Sequence, residues 1–124
     1  MDIKDRITAS IEVKQKILSD PDFLETISAV VDLVTSCFSK GGKVLLCGNG
    51  GSAADAQHIA GELSARFYLN RPSLPAEALH VNTSYLTAAA NDFSFEEAYA
   101  HYIGGVGKKE DVLIGLSTSG NSPN

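Results

Sequence analysis

The stretch KVLLCGNGGSAADAQHIAGELSARF, residues 43–67, changes character twice. KVLLCG, 43–48, is a short apolar run bounded by glycines, as in a strand buried inside a parallel sheet. Gly48-Asn49-Gly50-Gly51-Ser52 is turn material, and an alanine-rich helical pattern follows. At about 100° per residue, Ala56, Ala60, Leu63 and Phe67 gather on the side that would pack on the sheet. Glu62 and Arg66 fall close to the line of Asp55, with His58 beside it and Ile59 in the same stripe.

The plan recurs in DVLIGLSTSGNS, 111–122, a third buried strand followed by a loop of Gly, Ser and Asn. Between the two, AEALHV, 76–81, is a weaker strand after the turn NRPSLP, and 84–90 and 95–105 read as short helices. Strands alternating with helices give an α/β class with a parallel sheet covered on both faces. Upstream, Ile3, Ile7, Ile11, Ile17 and Leu18 mark a first helix over 3–18. A second starts at Pro21, capped by Ser19 or Asp20 and with Asp22 and Glu25 in its opening turn. Phe23, Leu24, Ile27, Val30, Val31, Val34 and Phe38 form its broad apolar face, and Gly41-Gly42 ends it. These two helices either cover a sheet or pack on the same helices of another copy. The expected organisation is a single domain over 1–124, with helices in 1–40 and an incomplete α/β core in 41–124. The last helices and strands of the sheet are missing from it, since the second loop runs to Asn124 without a further crossover.

The 124 residues hold one domain at most. A formal net charge of −5 gives no electrostatic reason to expect nucleic acid. Cys37 and Cys47 suggest no disulfide framework, no apolar run is long enough for a membrane span, and the N-terminus has no signal-peptide core. The expectation is a cytoplasmic domain without membrane or nucleic-acid partners.

In open parallel sheets, ligands bind beyond the carboxyl ends of the strands, where both polar loops fall. Ser117, Thr118, Ser119 and Ser122 offer hydroxyls beside closely spaced backbone N–H groups, which can hold a phosphate without Lys or Arg. A plain Ser/Gly turn fits equally. The first loop lacks dinucleotide-fingerprint spacing, and Ser52 with Asp55 fits a capping box. Asn49 would sit at the mouth of its strand, where its amide could bond a sugar hydroxyl. Glu62 and Arg66 fit an i, i+4 ion pair, and His58 with Glu62 could share a metal ion, although two ligands are a weak zinc signal. Asn91-Asp92 reads locally as a helix stop and an N-cap before SFEEAY.

Taken together, CGNGGSAADAQHIAGEL, RPSLPAEAL, AANDF and DVLIGLSTSGNSPN, in this order and spacing, resemble the phosphoheptose isomerases of the sugar isomerase (SIS) superfamily. The resemblance runs from about Pro21 onward. It implies a three-layer, flavodoxin-like doubly wound SIS domain, preceded here by two helices. It implicates Ser117, Thr118, Ser119 and Ser122 in holding the sugar phosphate. Asn49, Gly50 and Gly51, with Ser52 adjacent, would contact substrate, as would Asn91, Asp92, Glu62 and Arg66. Glu62 is implied as the catalytic acid/base, and His58 with Glu62 as two zinc ligands. The family's other catalytic histidine and its remaining zinc ligands, a His and a Gln, belong to a C-terminal helix that this sequence does not reach.

The implied reaction converts sedoheptulose 7-phosphate to D-glycero-D-manno-heptose 7-phosphate through an enediol, at the entry to lipopolysaccharide heptose. The implied assembly is a homotetramer with active sites at subunit interfaces. The competing reading is non-catalytic. One homologue in the superfamily binds the replication initiator DnaA, and other SIS domains sense sugar phosphates in regulators. The initiator-binding homologue lacks the helix carboxylate, so Glu62 favours the enzyme.

Overall fold

A computed structural model describes residues 2–124, with helices α1 (Ile3–Leu18), α2 (Pro21–Ser39), α3 (Gly51–Ser64), α4 (Thr83–Asp92) and α5 (Ala98–Val106). The strands are β1 (Val44–Cys47), β2 (Ala76–Ala78) and β3 (Val112–Gly115). The chain divides into two compact units, one ending at Thr35 and one spanning Ser36–Asn124.

In the first unit, α1 opens on a capping box. The Asp2 carboxylate accepts from the Ile3 amide at 2.6 Å, and Asp5 accepts from the Asp2 amide at 3.1 Å. Asp20 rather than Ser19 caps α2, accepting from the Phe23 amide at 3.0 Å, whereas the Ser19 hydroxyl donates back to the Gln15 carbonyl. Ile3, Ile7, Ile11, Phe23, Ile27 and Val31 all remain exposed.

In the second unit, β1 is the central strand of a parallel sheet in the order β2-β1-β3. Val44 pairs with Ala76 on one side and Val112 on the other. The chain moves one way from β1 to β2 and the opposite way from β2 to β3. Right-handed crossovers then put α3 on one face and α4–α5 on the other. The core agrees: Leu45 packs with Leu79 of the following turn and Tyr99 of α5, supported by Leu86, Tyr102, Ile103 and Val106. Val44 and Leu46, one step out of phase, belong to the opposite face. There Ala56 and Ala60 of α3 are buried, their small side chains allowing the helix close to the strands.

The doubly wound parallel class holds, and several boundaries move. β2 stops at Ala78 rather than Val81, because Leu79–His80 turns, although the Leu79 amide still donates to the Leu46 carbonyl at 2.8 Å. β3 is not a fully buried strand. It lies at an edge of the described sheet, and Leu113 is 51% exposed. α5 starts at Ala98 instead of 95, since the Ser94 hydroxyl accepts from the Glu97 amide at 3.2 Å and holds a turn there. α3 ends at Ser64, so Arg66 and Phe67 lie beyond the helix and Phe67 is 60% exposed rather than packed on the sheet. The cause is Arg71, whose guanidinium donates to the Glu62 and Leu63 carbonyls, both at 2.8 Å. The last-turn acceptors are thereby taken by the incoming loop instead of a further helical turn.

Among the described residues, no helix is long and apolar enough to cross a membrane. Gly61 sits exposed inside α3, and a Cβ there meets nothing within 4 Å. Gly61→Ala should therefore raise stability by about 0.5–1 kcal/mol, read as a higher melting temperature.

The end of the sheet away from the polar loops is tied by Asp111. Its carboxylate accepts from Lys43 Nζ, from the Lys43 amide at 2.9 Å and from the Lys108 amide at 2.8 Å. The hydrogen bonds from the Lys43 side chain and amide, with that of the Lys108 amide and the charge of Lys43, hold its pKa at about 2, below the usual 3.8. A depressed carboxylate stabilises the fold in its ionised form. The contribution is therefore complete above the unfolded value and is lost as pH falls from about 4 toward 2. Asp111→Asn should remove that part of the acid dependence, which melting temperatures across the acid range would show.

Candidate functional site

Order β2-β1-β3 begins the flavodoxin-like arrangement, in which the crevice opens between the carboxyl ends of the first and third strands. A cavity of about 200 Å³ lies at that place. Cys47, Gly48 and Asn49 line it from β1, Gly115, Leu116 and Ser117 from β3, with Ser122, Asn124 and Tyr99 completing it.

The β3 loop is shaped by its own hydroxyls. Ser117 Oγ accepts from the Gly120 amide at 2.9 Å, and Ser119 Oγ accepts from the Asn121 amide at 3.2 Å. Gly120 takes φ +66°, a left-handed turn that brings the chain back to Ser122. A serine that accepts at Oγ still has its O–H to donate. The loop can therefore be both folded by these hydroxyls and able to donate to an anion. Thr118 and Ser119 are exposed on the same loop and are not part of the cavity wall.

The β1 loop is built differently from the sequence expectation. Gly50, at φ +55°, precedes the first helical residue Gly51, and no side chain caps α3. Ser52 is consequently inside the helix, and the proposed Ser52–Asp55 capping box does not form. The positive φ of Gly50 starts the helix before Ser52 can act as its cap. Asn49 does reach the cavity, but its amide is engaged. Asn49 Nδ2 donates to Asn124 Oδ1 at 2.8 Å, and Asn124 Nδ2 donates to Asn49 Oδ1 at 3.0 Å. Behind the loop, the Tyr99 hydroxyl donates to the Gly48 carbonyl at 2.8 Å. Burial first, then the neighbouring Cys47, raises the Tyr99 pKa, and burial raises that of Cys47. Both groups stay protonated at neutral pH, which keeps the phenol a donor.

His58 and Glu62 lie elsewhere on α3, in a second cavity of about 340 Å³ with Ile59, Leu63, Phe67 and Arg71. His58 Nε2 stands 3.4 Å from Glu62 Oε1, so the carboxylate pairs with His58 in place of the expected Arg66. Arg66 cannot form the i, i+4 helical pair because the helix has already ended, and it is exposed. His58 Nε2 and Glu62 Oε1 suit zinc as two of its usual four donors. Among the described residues no group of three or more His, Cys, Asp or Glu side chains comes together to hold a metal. Asn91 and Asp92 are the last residues of α4, not the N-cap of α5, and Asn91 Nδ2 donates to Asp92 Oδ1 at 2.9 Å. They line neither cavity.

The structure thus brings together Asn49, Ser117 and Ser122 in one cavity, and His58 and Glu62 in another. Sequence reasoning passed over Asn124, Tyr99 and Arg71. Asn124 closes the quoted STSGNSPN run and could have been weighed with it. Tyr99 acts through the Gly48 carbonyl, 51 residues away in sequence, and Arg71 through the Glu62 and Leu63 carbonyls across the turn after α3; neither contact follows a local pattern.

A family model described as SIS domain matches residues 10–124. A phosphoheptose isomerase of Clostridium acetobutylicum is 52% identical over 122 residues, covering 98% of this chain and 62% of the relative. One from Aneurinibacillus thermoaerophilus is 49% identical with the same coverage, 98% and 62%. Among solved structures, the phosphoheptose isomerase of Neisseria gonorrhoeae superposes with a TM-score of 0.84 at 39% identity, over 99% of this chain and 65% of that one. That of Francisella tularensis gives 0.85 at 35%, over 100% and 66%. The chain spans about 62% of the length of these curated relatives.

Proposed function

The chain belongs to the SIS domain family, and from that premise we propose that the protein is an aldose–ketose isomerase acting on a heptose phosphate. The observation that carries this is the cavity at the carboxyl ends of β1 and β3, where neutral hydroxyl and amide donors stand at one mouth. The similarity to proteins named phosphoheptose isomerase supports the substrate class.

In this reading the Ser117–Ser122 loop takes the phosphate through the hydroxyls of Ser117, Thr118, Ser119 and Ser122 and the backbone amides between them. Asn49, Gly50, Gly51 and Ser52 meet the sugar, with Asn91, Asp92 and Arg66 as further substrate contacts. Sedoheptulose 7-phosphate carries a ketone beside a carbon with acidic C–H bonds. Glu62 removes a proton from that carbon while the carbonyl oxygen takes up a proton to give the enediol. A proton then returns to the former carbonyl carbon as the hydroxyl on the deprotonated carbon gives up its own proton, leaving the aldose. Zinc, held by His58 and Glu62 among its ligands, would supply stabilisation of the developing enediolate oxygen. A metal-bound carboxylate is a poorer base, so the ligand and base roles of Glu62 belong to different states.

Within one chain, Glu62 and the Ser/Thr loop occupy different cavities. A homotetramer whose active sites draw on more than one copy accounts for this division, and the exposed apolar residues of α1 and α2 supply surface for it. The test is conversion of sedoheptulose 7-phosphate by the full-length protein, followed by NMR in D₂O. The enediol route predicts the aldose product with solvent deuterium at the exchanged carbon. Absence of conversion by zinc-loaded protein overturns the reading.

A further inference from the structure

Asn49 and Asn124 are 75 residues apart in sequence, yet their side-chain amides form a reciprocal pair, each donating to the other at 2.8 and 3.0 Å. An amide has two N–H donors and a carbonyl with two lone pairs, so each partner keeps one donor and one acceptor position. Both side chains line the cavity between β1 and β3. We propose that Asn124 is a positioning residue that acts through Asn49, holding the sugar-facing β1 loop in register with the phosphate-facing β3 loop. The inference rests on the sugar-phosphate reading of the cavity.

The geometry gives Asn124 this role because the two loops have different attachments. The Gly48 carbonyl is fixed from behind by Tyr99, whereas the next residue, Asn49, is followed by Gly50 at positive φ. Gly120, at φ +66°, gives the β3 loop its own left-handed turn. A single neutral amide contact would allow Asn49 to rotate about its terminal torsion. Two parallel contacts fix the plane of the amide as well as its position. The amide of Asn49 is thereby presented to a sugar with one donor and one acceptor at a set orientation, through a partner, Asn124, that lies two residues along the chain from the phosphate-facing Ser122.

The test uses full-length wild type, Asn49→Ala, Asn124→Ala and the double variant, with affinities for sedoheptulose 7-phosphate and for inorganic phosphate measured by calorimetry. Asn124→Ala should weaken sugar-phosphate binding by about tenfold, the scale of two lost neutral hydrogen bonds, and leave inorganic phosphate affinity nearly unchanged. Asn49→Ala, which also removes the direct sugar contact, should lose at least as much, and the double variant should lose no more than Asn49→Ala alone. Asn124→Asp, which keeps the acceptor and loses the donor, should fall between wild type and Asn124→Ala in the ratio of the two affinities. That ratio cancels the repulsion of phosphate by the new charge.

Additive losses in the double variant, or an equal loss of inorganic phosphate binding in Asn124→Ala, overturn the inference while leaving the isomerase reading intact. A wild-type protein with no preference for sedoheptulose 7-phosphate over inorganic phosphate overturns both.

Discussion

Glu62→Gln should lower kcat for heptose-phosphate isomerisation by about 10²–10⁴-fold, the contribution of a positioned acid–base group, and leave sugar-phosphate affinity largely intact. Glutamine preserves the shape and hydrogen-bonding reach of the side chain but cannot accept a proton from carbon. The loss should therefore fall on kcat and spare KM. The position can bear the change structurally. Glu62 is partly exposed on α3, its side-chain contact is with His58 at 3.4 Å, and its backbone carbonyl is held by Arg71 regardless of the side chain. Steady-state kinetics paired with calorimetry check both halves. Near-wild-type turnover would remove Glu62 from the chemistry.

The second large effect is expected at Gly48, where β1 hands over to its loop. A Cβ there would lie 2.7 Å from both the carbonyl carbon and the carbonyl oxygen of Ser52, and 2.8 Å from its Cβ. These atoms belong to the first turn of α3 and cannot rotate aside. Gly48→Ala must push the helix start or the loop, at a cost of about 1–3 kcal/mol, and it displaces the carbonyl that Tyr99 holds. Gly42→Ala is the matched control. Its Cβ would meet the Glu110 carbonyl oxygen at 2.5 Å, at the opposite end of the sheet. Both variants should melt lower than wild type, but only Gly48→Ala should also lose sugar-phosphate affinity. Equal affinity in the two would mean that the β1 loop is not part of the binding site.

These expectations draw unequally on sequence and structure. The strand–loop–helix pattern of 43–64 and its echo at 111–122 are legible because a parallel strand buried on both faces must be apolar throughout. Its loop must be small and polar at the carboxyl end. That rule puts the Ser/Thr loop and Asn49 at the ligand end of the sheet, while their roles toward a phosphate and a sugar come from the family resemblance. Glu62 and His58 were legible as a pair because helical spacing is local. Arg66 was misplaced for the complementary reason: periodicity carries a helix onward until something stops it. Here the stop is Arg71, arriving from the loop beyond.

By itself, the sequence determined the α/β class, the two polar loops at one end of the sheet, the helical His58–Glu62 pair and the family resemblance. The first three are consequences of short-range periodicity and turn chemistry, and the resemblance rests on the order and spacing of the quoted motifs. The order β2-β1-β3, which makes β1 and β3 neighbours and so forms the cavity, is settled by packing across the whole fold. Only the tertiary structure decided that Asn49 is paired with Asn124, that Tyr99 anchors Gly48, and that Glu62 faces a different cavity from the phosphate loop. Each of these depends on groups that meet only after the chain has crossed the sheet. The energies that select them come from long-range packing and hydrogen bonding, which no local pattern encodes.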